Sequence, residues 1–453
     1  MARTVIVSNR IPVPNARGPQ AGGLAVVLKD AIKADDLWFG WSGKTAPESS
    51  TEPEITIRDG VQYATLDLSE SDYQKFYIGF ANGTLWPLLH FRLGLMEFRR
   101  EHLEGYRAVN QYFAQALVKL LKPGDQIWVH DYHLMPLAAM LRELGVTERM
   151  GFYLHIPFVP ASVFRALPQG QRLLEDLCTY DVLGFQTEQH HRDFLDCVRQ
   201  ILRIPAREDG TIQTTQRTVK SLADPVGIDA IAFQKMAEKN VKGRNAQRLQ
   251  NSLNGSQLMI GVDRLDYSKG LPDRFEAFNR FLTRFPEHKQ KVSFLQIAAP
   301  SRQEVSQYAA LRPVLNRMAG DINGRHGAFD WVPLRYMSQG VLRSTLSGFY
   351  RLAHIGVVTP LRDGMNLVAH EYVAAQNPED PGVLILSQFA GAASYFEDAL
   401  IVNPHDPDEI AEAMHEAMNM PLEKRKKRYD RLFESLKSLT TKAYSDTFLK
   451  ALA

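Results

Sequence analysis

Cysteine is almost missing: Cys178 and Cys197 are the only two among 453 residues. Both fall in segments of helical character, which excludes a disulfide framework and makes a reducing cytoplasm the expected setting. Two isolated cysteines are also a poor basis for a metal site, whose ligands cluster. No apolar run approaches the roughly 18–20 residues that span a bilayer. The amino terminus passes straight into the strand Val5-Ile6-Val7 without an apolar signal region, so no membrane association is expected. An excess of one charge is missing too, with 53 basic and 51 acidic residues and a formal +2. That balance gives no global field for nucleic acid or a membrane surface, so any anion site has to be local. The one basic run, Glu423–Arg428, reads as the solvated face of a late helix. There is no short-period repeat and no low-complexity segment. What remains is the composition of a globular protein, 45% hydrophobic and 23% charged, long enough for two or three domains with real cores.

Strands alternate with helical stretches along the whole chain, and polar residues recur where the strands end. Val5-Ile6-Val7 runs into Ser8-Asn9-Arg10, Gln126–Val129 into His130-Asp131, and Met150–Leu154 into His155. A Pro- and Gly-bearing loop, Pro12 to Gly23, precedes a helix expected from about Leu24 to Lys33, which puts Gly22 and Gly23 at a helix N-terminus. Leu37–Trp41 predicts a further strand, with polar hairpins over Lys44–Gln62. Tyr77–Arg92 concentrates rings, most of them expected in the core, while Tyr77 and Trp86 are suited to hold a sugar. The second half restarts with Gln257–Arg264, which delivers Arg264 to its carboxyl end and Lys269 to the next turn. Val292–Ile297 leads to Arg302, and further strands are expected at Asp330–Pro333, Ile355–Val358, Val383–Ser387 and Ala399–Pro404. Polar residues at the carboxyl ends of parallel strands mark the ligand edge of open α/β sheets.

The centre of the pattern is Ile355–Gln376. A buried strand, the turn Thr359–Asn366 with Pro360 and Gly364, and a helix from Leu367 aim backbone N–H groups and a helix dipole at one point. Such a unit suits a pyrophosphate at the helix start Asp363–Leu367, with Glu371 about one turn on for a ribose diol. Alone it is also an ordinary strand-to-helix connection. Arg264 and Lys269, two cations in one turn, tip the reading towards a leaving diphosphate. Arg10 and Tyr77 suit a second anionic group, with Arg302 reaching it from the other domain, and Asp131 and His155 suit sugar hydroxyls. The fold class expected is α/β, two Rossmann-like doubly wound domains facing across a cleft. Residues 1–245 form the acceptor domain, 246–435 the nucleotide-sugar domain, and a terminal helix at 436–453 crosses back to the first.

Long motifs in order, GGLA at Gly22–Ala25, WFGW at Trp38–Trp41, LWPLLHFR, WVHDYHLMPL, GFYLHIPFVP, GVDRLDYSKG, TPLRDGMNLVAHEYVAAQ and LSQFAGAA, make the chain resemble the trehalose-6-phosphate synthases. The resemblance runs from Val5 to about Met420. It implies the GT-B architecture and retaining transfer from UDP-glucose, a substrate rather than a cofactor, to glucose-6-phosphate, with no metal. It assigns Arg10, Trp41, Tyr77, Trp86, Asp131 and Arg302 to the acceptor. Gly22, Gly23, His155, Arg264, Lys269 and Asp363–Glu371 go to the donor, and Asp131, His155, Arg264 and Lys269 stand at the reacting centre. The sequence departs from the pattern at His370, where bacterial relatives commonly have Lys, at Val341 beside the base, and at Tyr444, where many have Trp. A homo-oligomer without nucleic-acid or membrane partners is expected, and a separate phosphatase to process the product. The alternatives are a same-fold glucosylglycerol-phosphate synthase, a cyclitol pseudoglycosyltransferase, or a non-catalytic sugar-phosphate-binding subunit.

Overall fold

In the computed structural model, which describes residues 3–11, 28, 32–302 and 304–453, fifteen strands form two sheets. The first half supplies β1 (Thr4–Arg10), β2 (Leu37–Ala46), β3 (Glu54–Arg58), β4 (Val61–Ser69), β5 (Gln126–His130), β6 (Arg149–Leu154), β7 (Val182–Phe185), β8 (Thr211–Gln213) and β9 (Thr218–Ala223). Their order is β3-β4-β2-β1-β5-β6-β7-β9-β8, parallel from β4 to β9 with an antiparallel strand at each edge. The second half supplies β10 (Gln257–Arg264), β11 (Val292–Ala299), β12 (Leu334–Met337), β13 (Ile355–Val358), β14 (Val383–Ser387) and β15 (Leu400–Val402), all parallel in the order β12-β11-β10-β13-β14-β15.

Burial on both faces explains the near-continuous apolar strands of the second sheet. In β14, Leu384 and Leu386 join one core cluster while Val383 and Ile385 join the other. The same alternation splits Leu258 and Ile260 from Met259 in β10. Helices cover each face, so both clusters are closed from water.

The chain divides into two compact units, Met1–Val226 with Lys442–Ala453, and Gly227–Thr441. The junction lies earlier than the expected 245/246 because the helix Ala230–Asn240 contributes Phe233 and Ala237 to the second unit's core. Ahead of that junction, β9 pairs with β7 inside the first sheet and carries β8 at the sheet edge. At the other end, Leu422–Ser438 packs Tyr429, Leu432 and Phe433 into the second unit. The last helix, Thr441–Leu452, lies in the first, where Phe448 stacks on Trp128. The strand expected at Asp330–Pro333 starts at Leu334 instead. Pro333 lacks an N–H for the ladder, although its carbonyl accepts from Phe294 N. Among the described residues no helix is long and apolar enough to cross a membrane.

Candidate active site

Register places the polar strand ends of each unit on one edge. In the first unit Ser8 of β1 is opposite His130 of β5, and His130 is opposite Tyr153 of β6, so Arg10, Asp131 and His155 emerge together. Asp131 takes a left-handed φ of 77°, an uncommon conformation for a residue with a Cβ. Its backbone N–H donates to Tyr153 O at 2.8 Å, and its Oδ1 accepts from His155 N at 3.3 Å. His155 Nε2 faces His130 Nδ1 at 3.0 Å. Burial pushes the His155 imidazole down to about 3. Burial, with His155 adding a smaller effect, holds His130 well below the ordinary value. Both rings are therefore neutral at pH 7, which leaves His155 Nδ1 as the nitrogen that can serve a sugar hydroxyl.

A box of rings adjoins Arg10. Its guanidinium lies 5.8 Å from the centre of the Trp41 ring, which packs on Tyr73 and Tyr77, and Tyr77 in turn stacks on His133. Trp41 Nε1 donates to Lys44 O at 2.7 Å. Residues Gln74–Leu85 wind as a π-type helix, a form that recurs at functional sites. Trp86 is buried and stacks on His90 at 4.0 Å. Gly22 and Gly23 lie outside the described residues.

The second unit gathers the other set. Arg264 ends β10, whose register partner Ala299 ends β11 just before Arg302. Both cations aim at one buried carboxylate, with Asp266 Oδ2 3.8 Å from Arg264 and 3.7 Å from Arg302. Burial alone would raise the Asp266 pKa, but Arg264, Arg302 and Lys269 outweigh it and keep the group ionised. Arg302, expected to reach the acceptor group from the other domain, sits in the second unit beside Arg264 and Lys269, with φ 45° and a 2.7 Å hydrogen bond to Tyr308. Lys269 pairs with Asp363 at 2.5 Å, and Asn366 Nδ2 donates to the same oxygen.

These turns are locked by backbone proximity. Gly270 has φ +64°, and a Cβ there would lie 2.6 Å from Thr359 O, while Leu361 N donates to Ser268 O. A Cβ on Gly391 would come within 1.9 Å of Gly364 O. The left-handed residue that starts the helix is Asn366, φ 77°, and not Gly364. No side chain caps the helix Leu367–Ala375, so its first N–H groups can meet an anion. Leu367 and Val368 open it, Ala369 and His370 are buried, and Met365 packs into the core. Glu371, largely buried, accepts from Arg343 Nε at 2.7 Å. Burial raises the Glu371 pKa and Arg343 counters it.

Three participants escape sequence reading. Asp266 stands inside the GVDRLDYSKG run, but nothing there sets it apart from a surface acid, and Arg343 lies in none of the motifs. Arg274, completely buried, binds Asp263, Gln296 Oε1 (2.9 Å), Thr359 Oγ1 (2.9 Å) and Lys269 O (3.2 Å). It ties three strand ends together beneath the cations. A basic residue facing inward from an otherwise apolar helix face was the only available hint.

Two Rossmann-like units of this topology, with a phosphate-ready helix start at the carboxyl edge of the second, define a nucleotide-sugar-dependent glycosyltransferase of the GT-B class. The model of glycosyltransferase family 20 matches residues 2–453, and the chain belongs to that family. It is 45% identical over its full length to the trehalose-6-phosphate synthase of Sinorhizobium fredii, covering 98% of that protein. It is likewise 45% identical to the one of Cronobacter sakazakii, covering 95%. The UDP-forming α,α-trehalose-phosphate synthase of Burkholderia xenovorans, solved with glucose-6-phosphate, superimposes with a TM-score of 0.96 at 43% identity and full coverage of both chains. An E. coli structure bound with UDP-2-fluoro glucose gives 0.94 at 43% identity, covering 100% of this chain and 99% of that one.

Proposed function

We propose that the chain transfers glucose from UDP-glucose to glucose-6-phosphate with retention, forming α,α-trehalose 6-phosphate and UDP. The observation that carries this reading is the uncapped helix start at Asn366, set beside Lys269 and Arg264 with Glu371 one turn along. Backbone N–H groups and two cations receive the diphosphate, and Glu371 receives the ribose diol. The bond from the anomeric carbon to the phosphate oxygen breaks, and the electron pair leaves with UDP. The acceptor hydroxyl bonds to the same face of that carbon, and its proton passes to the departing phosphate. The charge develops where the helix dipole and cations already point, so the protein contributes positioning and electrostatics rather than a covalent carboxylate. Arg10, Tyr77, Trp41 and Trp86 take the acceptor, and Arg302 supports its phosphate. Asp131 and neutral His155 hold hydroxyls near the reacting carbon.

No step of this scheme needs a metal or a cofactor. A reducing compartment suits the two buried thiols, with burial raising Cys178 to about 12. A homo-oligomeric state and a separate phosphatase for the product complete the proposal. A panel of UDP-, GDP- and ADP-glucose with glucose-6-phosphate tests the donor assignment. Nucleoside diphosphate release should be fastest with UDP-glucose, and equal rates with all three would remove the base from recognition.

A further inference from the structure

At the opposite, amino-terminal edge of the second sheet lies a cluster that the transfer reaction does not use. His288 closes a short turn, Pro286–His288, just before β11, and His415 projects from the helix Pro407–Asn419. His288 Nε2 and His415 Nδ1 face each other at 2.9 Å. Glu287 Oε1 lies 3.8 Å from His415 Nδ1 and 4.0 Å from His288 Nε2. Among the described residues this is the one trio of histidine, cysteine or acidic ligand atoms close enough to share an ion.

Both rings are held in place. Phe285 stacks on His415 at 4.0 Å and 15°, and Phe281 stacks on His288 at 5.0 Å and 17°. An imidazole binds a metal ion through a ring nitrogen, and the facing nitrogens of His288 and His415 are the two brought together here. Arg284, the nearest strong cation on the preceding helix, is occupied by Asp408 and Glu412. Asn419 Nδ2 lies 3.3–3.4 Å from the His415 ring nitrogens, a weak contact that an ion can displace.

We propose that Glu287, His288 and His415 form a binding site for a borderline divalent cation such as Zn²⁺, with water completing a tetrahedron. At nitrogen–zinc distances of about 2.0–2.1 Å the two ring nitrogens need to separate only to about 3.3 Å. The exposed Glu287 side chain closes the remaining gap by rotation. The ring that donates the shared hydrogen bond moves that proton to its other nitrogen, which frees both facing nitrogens for the ion. The ion joins the turn after one helix to the face of another, away from the strand ends where transfer occurs.

The test uses the full chain freed of metal by chelator. Titration with Zn²⁺ should show one tight site and raise the melting temperature by at least about 2 °C. Co²⁺ in its place should give the visible absorption of a tetrahedral site. His415→Gln should abolish both effects, and Glu287→Gln, an exposed change that leaves the fold intact, should weaken Zn²⁺ binding at least about tenfold. The transfer rate should be the same in every variant. Absence of the site in the unmutated chain, or undiminished binding in both variants, overturns the proposal.

Discussion

Lys269 and Arg343 show how single side chains set the chemistry. Lys269→Met would leave Asp363 without its cation and remove one of the charges facing the leaving diphosphate. We expect kcat/KM to fall by about 10²–10³-fold, measured by steady-state kinetics on protein confirmed folded by a thermal melt. Arg343 acts through Glu371: its guanidinium holds the carboxylate at 2.7 Å and lies 4.9 Å from the Phe233 ring centre. Burial already raises Glu371, so Arg343→Gln raises it further. The acid limb of donor binding should then move to higher pH, and the KM for UDP-glucose should rise about tenfold while that for glucose-6-phosphate holds. Equal changes in both KM values would detach Arg343 from the donor side. His370 has both ring nitrogens buried without a partner and a pKa lowered by burial to about 3. The unfolded chain binds its proton near pH 6.5 and the folded one does not, so stability is full above about 6.5 and is lost as pH falls towards 3. Between pH 7 and pH 5 this group alone should cost about 2 kcal/mol. His370→Leu should flatten that part of a urea-denaturation profile.

Among the elements, the second unit's strand ends are fixed by turns that pack backbone against backbone. Arg274 is the peg that holds the ends of β10, β11 and β13 together, and its charge is matched by Asp263 in the core. Arg274→Met should destabilise the second unit by about 3–5 kcal/mol, because Asp263 is left buried and uncompensated. Calorimetry should show its transition moving down while that of the first unit stays. The strand–turn–helix units were legible from apolar runs broken by Pro, Gly and polar residues, and the strand-end positions of Arg10, Asp131, His155 and Arg264 followed from them. The register of Asn366 was not legible, since a left-handed asparagine and a glycine compete for the same turn and only the packing of Gly391 on Gly364 decides. β8 and β9 were hidden for a different reason. They form an edge hairpin with few apolar residues, so no period-2 signal rises above the polar background. The junction falls before Ala230–Asn240 because Phe233 and Ala237 pack into the second core, a partnership that no motif in the chain marks. Arg302 was legible as a cation beyond the strand Val292–Ile297, whereas its link to Asp266 could not be read from spacing.

On the scale of the whole molecule, two α/β units each present one edge of polar strand ends, and the proposal divides the reaction between them. On the proposed assignment Arg264, Lys269 and Glu371 of the second unit serve the donor, and Arg10, Trp41 and Tyr77 of the first serve the acceptor, so substitutions within these two sets should separate by substrate. Arg10→Ala should raise the KM for glucose-6-phosphate by tenfold or more and leave the KM for UDP-glucose within about twofold. The most direct measurement is product analysis under metal-free conditions. Purified protein with UDP-glucose, glucose-6-phosphate and excess EDTA should release UDP and form a non-reducing disaccharide phosphate in equal amounts, with both anomeric carbons in the α configuration by NMR. UDP released with free glucose, a β linkage at the transferred sugar, or no turnover until a divalent ion is restored would contradict it.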